Sequence, residues 1–118
     1  MQQITSLTNS FNQSMVVNSF GTNSFQLDLA YYMTQNSWLY SISYGNVKIK
    51  NQRLHLSYNI LDRLKNIIPF GLYVKSLDGG EPLFLSDFVY PRIQLFLLNS
   101  EEVESIHDSY FRSYIYEF

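Results

Sequence analysis

Two histidines, His55 and His107, and no cysteine bound the acid–base and metal chemistry open to this chain. A zinc-type site needs about four ligands, and without thiolates carboxylates would have to complete the set. His107-Asp108 is the one adjacent imidazole–carboxylate pair; it reads either as the base of a hydrolase or as a solvated surface pair. A Ser-His-Asp triad is assembled in space, yet no Ser here stands in a nucleophile-elbow pattern. Asp78-Gly79-Gly80 has the small residues of a phosphate-cradling loop but lacks the Lys-Ser or Lys-Thr that should follow, so it reads as a hairpin turn. The residues therefore assign no catalytic, cofactor-binding or metal-binding position, and the chain is read as non-enzymatic.

The unusual chemistry is aromatic. Of 118 residues, 10 are Tyr and 9 are Phe, so aromatics make up 17% while charged residues make up only 15%. Large rings suit half-buried pleated surfaces and protein interfaces, where they bury much area at little rotamer cost. A formal charge of −2 argues against direct nucleic-acid binding and gives little self-repulsion, which favours association with copies of itself or other subunits. With no cysteine, stability rests on packing and the redox compartment stays undetermined. Residues 1–17 have no Lys or Arg and no long apolar run, so a secretory signal is not expected. No stretch approaches the roughly 20 apolar residues of a membrane helix.

These residues need elements to hold them. Residues 1–23 form a polar arm or edge strand with a strand candidate over 14–20. Phe25, Leu27, Leu29 and Tyr31 alternate with Gln26 and Asp28, and Trp38, Tyr40, Ile42 and Tyr44 repeat the period after the break at 34–37, which predicts a hairpin. Tyr44-Gly45-Asn46 turns the chain into Val47-Lys48-Ile49-Lys50, and Asn51-Gln52 breaks that strand before Leu54-His55-Leu56. The spacing of Ile60, Leu64 and Ile67 predicts a short amphipathic helix near 59–67, stopped by Pro69. Strands over 72–75 and 93–98 follow, the second central or buried on both faces, and Ser100-Glu101-Glu102 opens a second helix in the tail. The expected fold is one mainly β domain, an antiparallel sandwich or small barrel with one or two short helices: arm 1–23, β core 24–100 and C-terminal tail 101–118. Trp38 and the tyrosines would form the platform of a glycan-binding module, or Trp38, in phase with Tyr40 and Ile42, would pack in the core.

The order of these segments resembles the small tail proteins of contractile-tailed bacteriophages that include the cyanophage baseplate plug family. The resemblance is carried by Gln2-Gln3-Ile4 through Asn12-Gln13-Ser14, by Phe25-Gln26-Leu27 through Tyr31, and by Trp38-Leu39-Tyr40-Ser41-Ile42. It continues through Leu54 to Asn59-Ile60-Leu61, Gly71-Leu72-Tyr73-Val74, Asp78-Gly79-Gly80-Glu81-Pro82 and Ile93 to Leu98, roughly residues 1–100. The chain departs from the pattern at Tyr44-Gly45-Asn46, at Gln52-Arg53 and in the tail after Glu104. The resemblance implies a virion component of the tail baseplate, assembled in the bacterial host cytoplasm. There it would plug the tube end as several copies in a symmetric ring, against other hub or tail-tube proteins and without a cofactor. Arm and tail would each cross to a neighbour, or dock on their own domain. The interface candidates are Phe11, Gln13 and Met15 on the arm, and Tyr110, Phe111, Tyr114, Tyr116 and Phe118 on the tail.

Overall fold

The structure, a computed structural model, describes residues 2–5, 7–18, 24–64, 66–89 and 92–107. Among these it has seven strands: β1 (Gln2–Ile4), β2 (Asn12–Asn18), β3 (Ser24–Tyr32), β4 (Ser37–Tyr44), β5 (Val47–Arg53), β6 (Gly71–Ser76) and β7 (Ile93–Leu98). They form two antiparallel sheets, ordered β2-β3-β4-β5 and β1-β7-β6. The two sheets pack face to face as a small β-sandwich, and a helix, α1, spans residues 100–107.

Alternation dictates the sandwich. Phe25, Leu27 and Leu29 of β3 and Trp38, Tyr40 and Ile42 of β4 are buried, and they meet Leu72, Val74, Leu95, Leu97 and Ile4 from the smaller sheet in one cluster. Phe25 stacks on Phe70 at 4.1 Å between ring centroids, joining the larger sheet to the segment that leads into β6. Burying side chains of this size contributes about 1.5–3 kcal/mol each. As its apolar run predicts, β7 is central, paired with β1 on one side and β6 on the other.

The predicted polar break after β3 is a 3-10 turn, Met33–Gln35, ended by Asn36 at φ 46°. Gly45 at φ 55° turns β4 into β5. That strand does not stop at Asn51-Gln52. Tyr40 faces Gln52 and Ile42 faces Ile49, so Ser41 is opposed by two residues, a β-bulge, and Asn51 takes the left-handed conformation at φ 53°. Its N–H donates to Ser41 Oγ at 3.0 Å. Asn tolerates this conformation better than most residues, so what reads as a break is a bulge inside the strand.

Of the helix expected near 59–67, the described residues form a 3-10 turn at Asp62–Leu64 and no α-helical stretch. Asn59 decides this. Its Oδ1 accepts hydrogen bonds from the N–H groups of Leu61 and Leu72 at 3.0 and 3.1 Å, while Ile60 N–H donates to the Leu72 carbonyl at 2.9 Å. Residues 57–60 are thereby tied along the outer edge of β6, and the Ile60-Leu64-Ile67 stripe breaks: Ile67 is 59% exposed. Residues 54–56 belong to no ladder among the described residues. Conversely, β1 had no local signature; it is three residues held by pairing Gln2, Gln3 and Ile4 with Leu97, Phe96 and Leu95. The tail helix does form. Asn99 accepts from Glu102 N–H at 2.8 Å and its own N–H donates back to Glu102 Oε1 at 3.2 Å, a capping box that starts α1 and buries Val103.

Candidate functional site

The arm candidates belong to the domain itself. Gln13 closes the turn that leads into β2: its Oε1 accepts from Thr8 N–H at 2.9 Å and its Nε2 donates to the Thr8 carbonyl at 2.6 Å. Met15 faces inward and packs against the core. Phe11 is 46% exposed, its ring 6.2 Å from Tyr31, and its carbonyl accepts from Tyr31 N–H at 2.8 Å. Of the three, Phe11 alone is open to a partner. Tyr110, Phe111, Tyr114, Tyr116 and Phe118 lie outside the described residues, as does Asp108.

His107 pairs with Asp62, Nδ1 to Oδ1 3.2 Å, and the exposed His55 lies 3.2 Å from the Arg53 carbonyl. The two imidazoles are thus held in separate local contacts. Trp38 is fully buried, with Nε1 donating to the Phe84 carbonyl at 3.0 Å, so it is a core residue and no part of a surface platform.

The two outer faces differ. On the larger sheet, Ser14 and Gln26 donate to Asp28 at 2.5 and 3.2 Å, a polar cluster satisfied within itself, with Val16, 69% exposed, opposite Gln26. On the smaller sheet the outward positions of β6 and β7 carry Tyr73 and Phe96, directly paired across the strands with Gln3 of β1 beyond. Tyr73 and Phe96 lie 5.8 Å apart, and Tyr58 stacks on Tyr73 at 5.3 Å with ring planes 16° apart. The result is a continuous aromatic row, with Tyr58 54% exposed at its end. Beside it a groove of about 320 Å³ is lined by Leu56, Ser57, Tyr58, Tyr73, Lys75 and Ser76.

The loop leaving β6 is fixed by Arg92. Its Nε and Nη2 each donate at 2.9 Å to the two oxygens of Asp87, its Nη1 to Asp78 at 3.0 Å and its Nη2 to the Glu81 carbonyl at 2.5 Å. Asp87, 2% exposed, also accepts from the N–H groups of Leu83 and Phe84, both at 2.9 Å. Hydrogen bonds to Asp87 raise the Arg92 pKa, and those from Gly80 N–H, Ser76 and Arg92 lower that of Asp78. This clamp holds Phe84 outward, 57% exposed, with the Arg92 guanidinium 5.3 Å from its ring centroid. The Asp78-Gly79-Gly80 turn is thus occupied by its own side chains, as a turn rather than a phosphate cradle.

Among the described residues no group of three or more His, Asp or Glu gathers at metal-binding distance, and no helix is long and apolar enough to cross a membrane. Sequence reasoning missed Tyr58, Tyr73 and Phe96 as a unit. Two signals were present: Tyr73 is out of phase with Leu72 and Val74, and Phe96 is out of phase with Leu95 and Leu97. The sequence matches no family model, and no curated protein aligns with it at a significant level.

Proposed function

We propose that this chain is a non-enzymatic structural subunit that assembles through the outer face of its three-stranded sheet, and that its place is the baseplate of a contractile phage tail, as a plug at the tube end. The observation that carries the assembly reading is the row Tyr58, Tyr73 and Phe96, set where a free-standing domain would place polar side chains. Tyr and Phe are the residue types that anchor interfaces, and their positions on paired strands hold them rigid before any partner arrives. The location is supported by the order of sequence segments that resembles the baseplate plug family. In that setting the partners are further copies of the chain in a ring and the neighbouring hub or tail-tube proteins. Antibody labelling of purified tails tests the location: label at the baseplate end is expected, and tails that carry none contradict it.

A second reading, a small glycan-binding module, draws on the groove beside the stacked Tyr58–Tyr73 pair, where a sugar ring would find a flat aromatic surface with Lys75 and Ser76 alongside. Titration of the monomeric protein with oligosaccharides separates the two. Saturable binding that Tyr58→Ala abolishes favours the module, and no binding leaves the assembly reading standing.

A further inference from the structure

We propose that the Asp78-Gly79 peptide is a site of covalent self-modification, where the aspartyl residue isomerises to isoaspartate through a cyclic imide, and that Ser76 and Arg92 restrain the reaction. The chemistry needs an aspartyl carboxyl followed by a main-chain nitrogen that can reach it. Asp78 is the one Asp in the chain followed by Gly; Asp28, Asp62, Asp87 and Asp108 precede Leu, Arg, Phe and Ser. A residue without Cβ leaves its nitrogen unobstructed, and Gly79 sits at φ 80°, a conformation that other residues seldom take. The Asp78 side chain is 57% exposed at this turn, so water reaches it. Water is the only co-reactant. The Gly79 nitrogen gives up its proton and bonds to Asp78 Cγ, while one carboxyl oxygen leaves as water with that proton and the acid's own. Hydrolysis of the five-membered imide takes the water back. Opening at Cγ restores aspartate. Opening at the Asp78 main-chain carbonyl leaves the chain running through Cβ and Cγ, one methylene longer, with the former main-chain carbonyl as the free carboxylate. Nothing is oxidised or reduced, and the mass of the chain is unchanged.

The neutral acid is the reactive form, because a carboxylate repels the nucleophile and has no good leaving group. The turn opposes that form. Asp78 Oδ1 accepts from Gly80 N–H at 2.8 Å, from Ser76 Oγ at 2.8 Å and from Arg92 Nη1 at 3.0 Å, and these donors favour the ionised carboxyl. They also fix its rotamer, so the carboxyl does not swing freely toward the Gly79 nitrogen. The guanidinium packs so close that a Cβ at Gly80 would lie 2.8 Å from Nη1. Arg92 is anchored in turn by both oxygens of Asp87 and by the Glu81 carbonyl, and its own carbonyl accepts from Leu77 N–H at 2.9 Å. The restraint therefore belongs to the folded loop. Isomerisation would undo it: with a methylene added to the main chain, the carboxylate no longer stands where Ser76, Gly80 and Arg92 converge. The inference draws on no part of the assembly reading.

Timed incubation of the full chain in mildly acidic buffer at body temperature, followed by peptide mapping and enzymatic methylation of isoaspartate, tests it. Isoaspartate should accumulate at position 78 ahead of Asp28, Asp62 and Asp87, which serve as internal references. In Ser76→Ala, which removes one donor, and in Arg92→Lys, which keeps a cation beside Asp87 but loses the fork to Asp78, it should form at least about threefold faster. Circular dichroism establishes that each variant is folded, and Ser76→Ala decides the matter if Arg92→Lys is not. The rate at position 78 should fall as pH rises, since ionisation removes the reactive form. Three results overturn the proposal: a wild type with no more isoaspartate at 78 than at the reference positions, a folded Ser76→Ala that converts at the wild-type rate, or a rate that climbs with pH.

Discussion

Asp87 is the side chain whose loss should cost the most. It is buried, accepts two backbone N–H groups and both arms of the Arg92 fork. Asp87→Ala would strand two amide donors and leave the Arg92 guanidinium only Asp78 and the Glu81 carbonyl, and removing one partner of a buried ion pair costs about 3–5 kcal/mol. Urea unfolding should show a loss of that order, and a loss well under 1 kcal/mol would mean the loop is held by something else. Asp78 gives a pH signature. Its carboxyl is held below its ordinary value of 3.8, chiefly by the Gly80 N–H. Its contribution is therefore fully present above that pH and is lost as pH falls through the lower folded value. Asp78→Asn should flatten the acid limb of the stability curve. At the other end, burial pushes the Tyr40 phenol above 10.0, so the unfolded state loses that proton first. Stability should fall as pH rises past 10, and Tyr40→Phe should remove that part of the decline. At Gly71 a Cβ would sit 2.7 Å from Asn59 Oδ1. Gly71→Ala should displace the amide that ties residues 57–60 to β6, at about 1–3 kcal/mol.

At the scale of elements, what could be read from the sequence was what depends on local period. Phe25, Leu27 and Leu29 announce β3, Trp38, Tyr40 and Ile42 announce β4, and the run 93–98, apolar except at Gln94, announces a central strand; all are placed as expected. What could not be read depends on distant partners. β1 exists because β7 offers an edge to Gln2, Gln3 and Ile4, whose own pattern says nothing. The stripe Ile60-Leu64-Ile67 suggests a helix, but the bonds of Asn59 to Leu72 and of Ile60 to the Leu72 carbonyl fix the chain as an edge segment before a helical turn can close. Asn51 looked like a terminator because the sequence does not reveal that a bulge would accept it. α1 was marked by Glu101 and Glu102, and Asn99 completes its cap. Asn99→Ala should lower stability by about 1 kcal/mol in thermal or denaturant unfolding. An unchanged midpoint would show that α1 is held by Val103 packing alone.

For the whole molecule, the outer faces of the two sheets differ in character. The N-terminal segment, read as an arm or an edge strand, supplies an edge strand to each sheet, β1 to one and β2 to the other. The proposed assembly uses a surface that the described fold presents. The larger sheet shows a polar cluster around Asp28 with the single aliphatic Val16 beside it, while the smaller shows the ring row Tyr58, Tyr73 and Phe96. The candidate surface was legible only as a surplus of aromatics, since phase errors at Tyr73 and Phe96 become a row only once β6 and β7 pair.

The central claim is that this row drives association, and the native mass of the full chain tests it most directly. Light scattering over a concentration series would compare the wild type with the Tyr73→Glu, Phe96→Glu double variant, with circular dichroism as the check on folding. A defined oligomer that becomes a folded monomer in the variant is the expected result. A wild type that stays monomeric at every concentration, or an oligomer of unchanged mass in the variant, would contradict it.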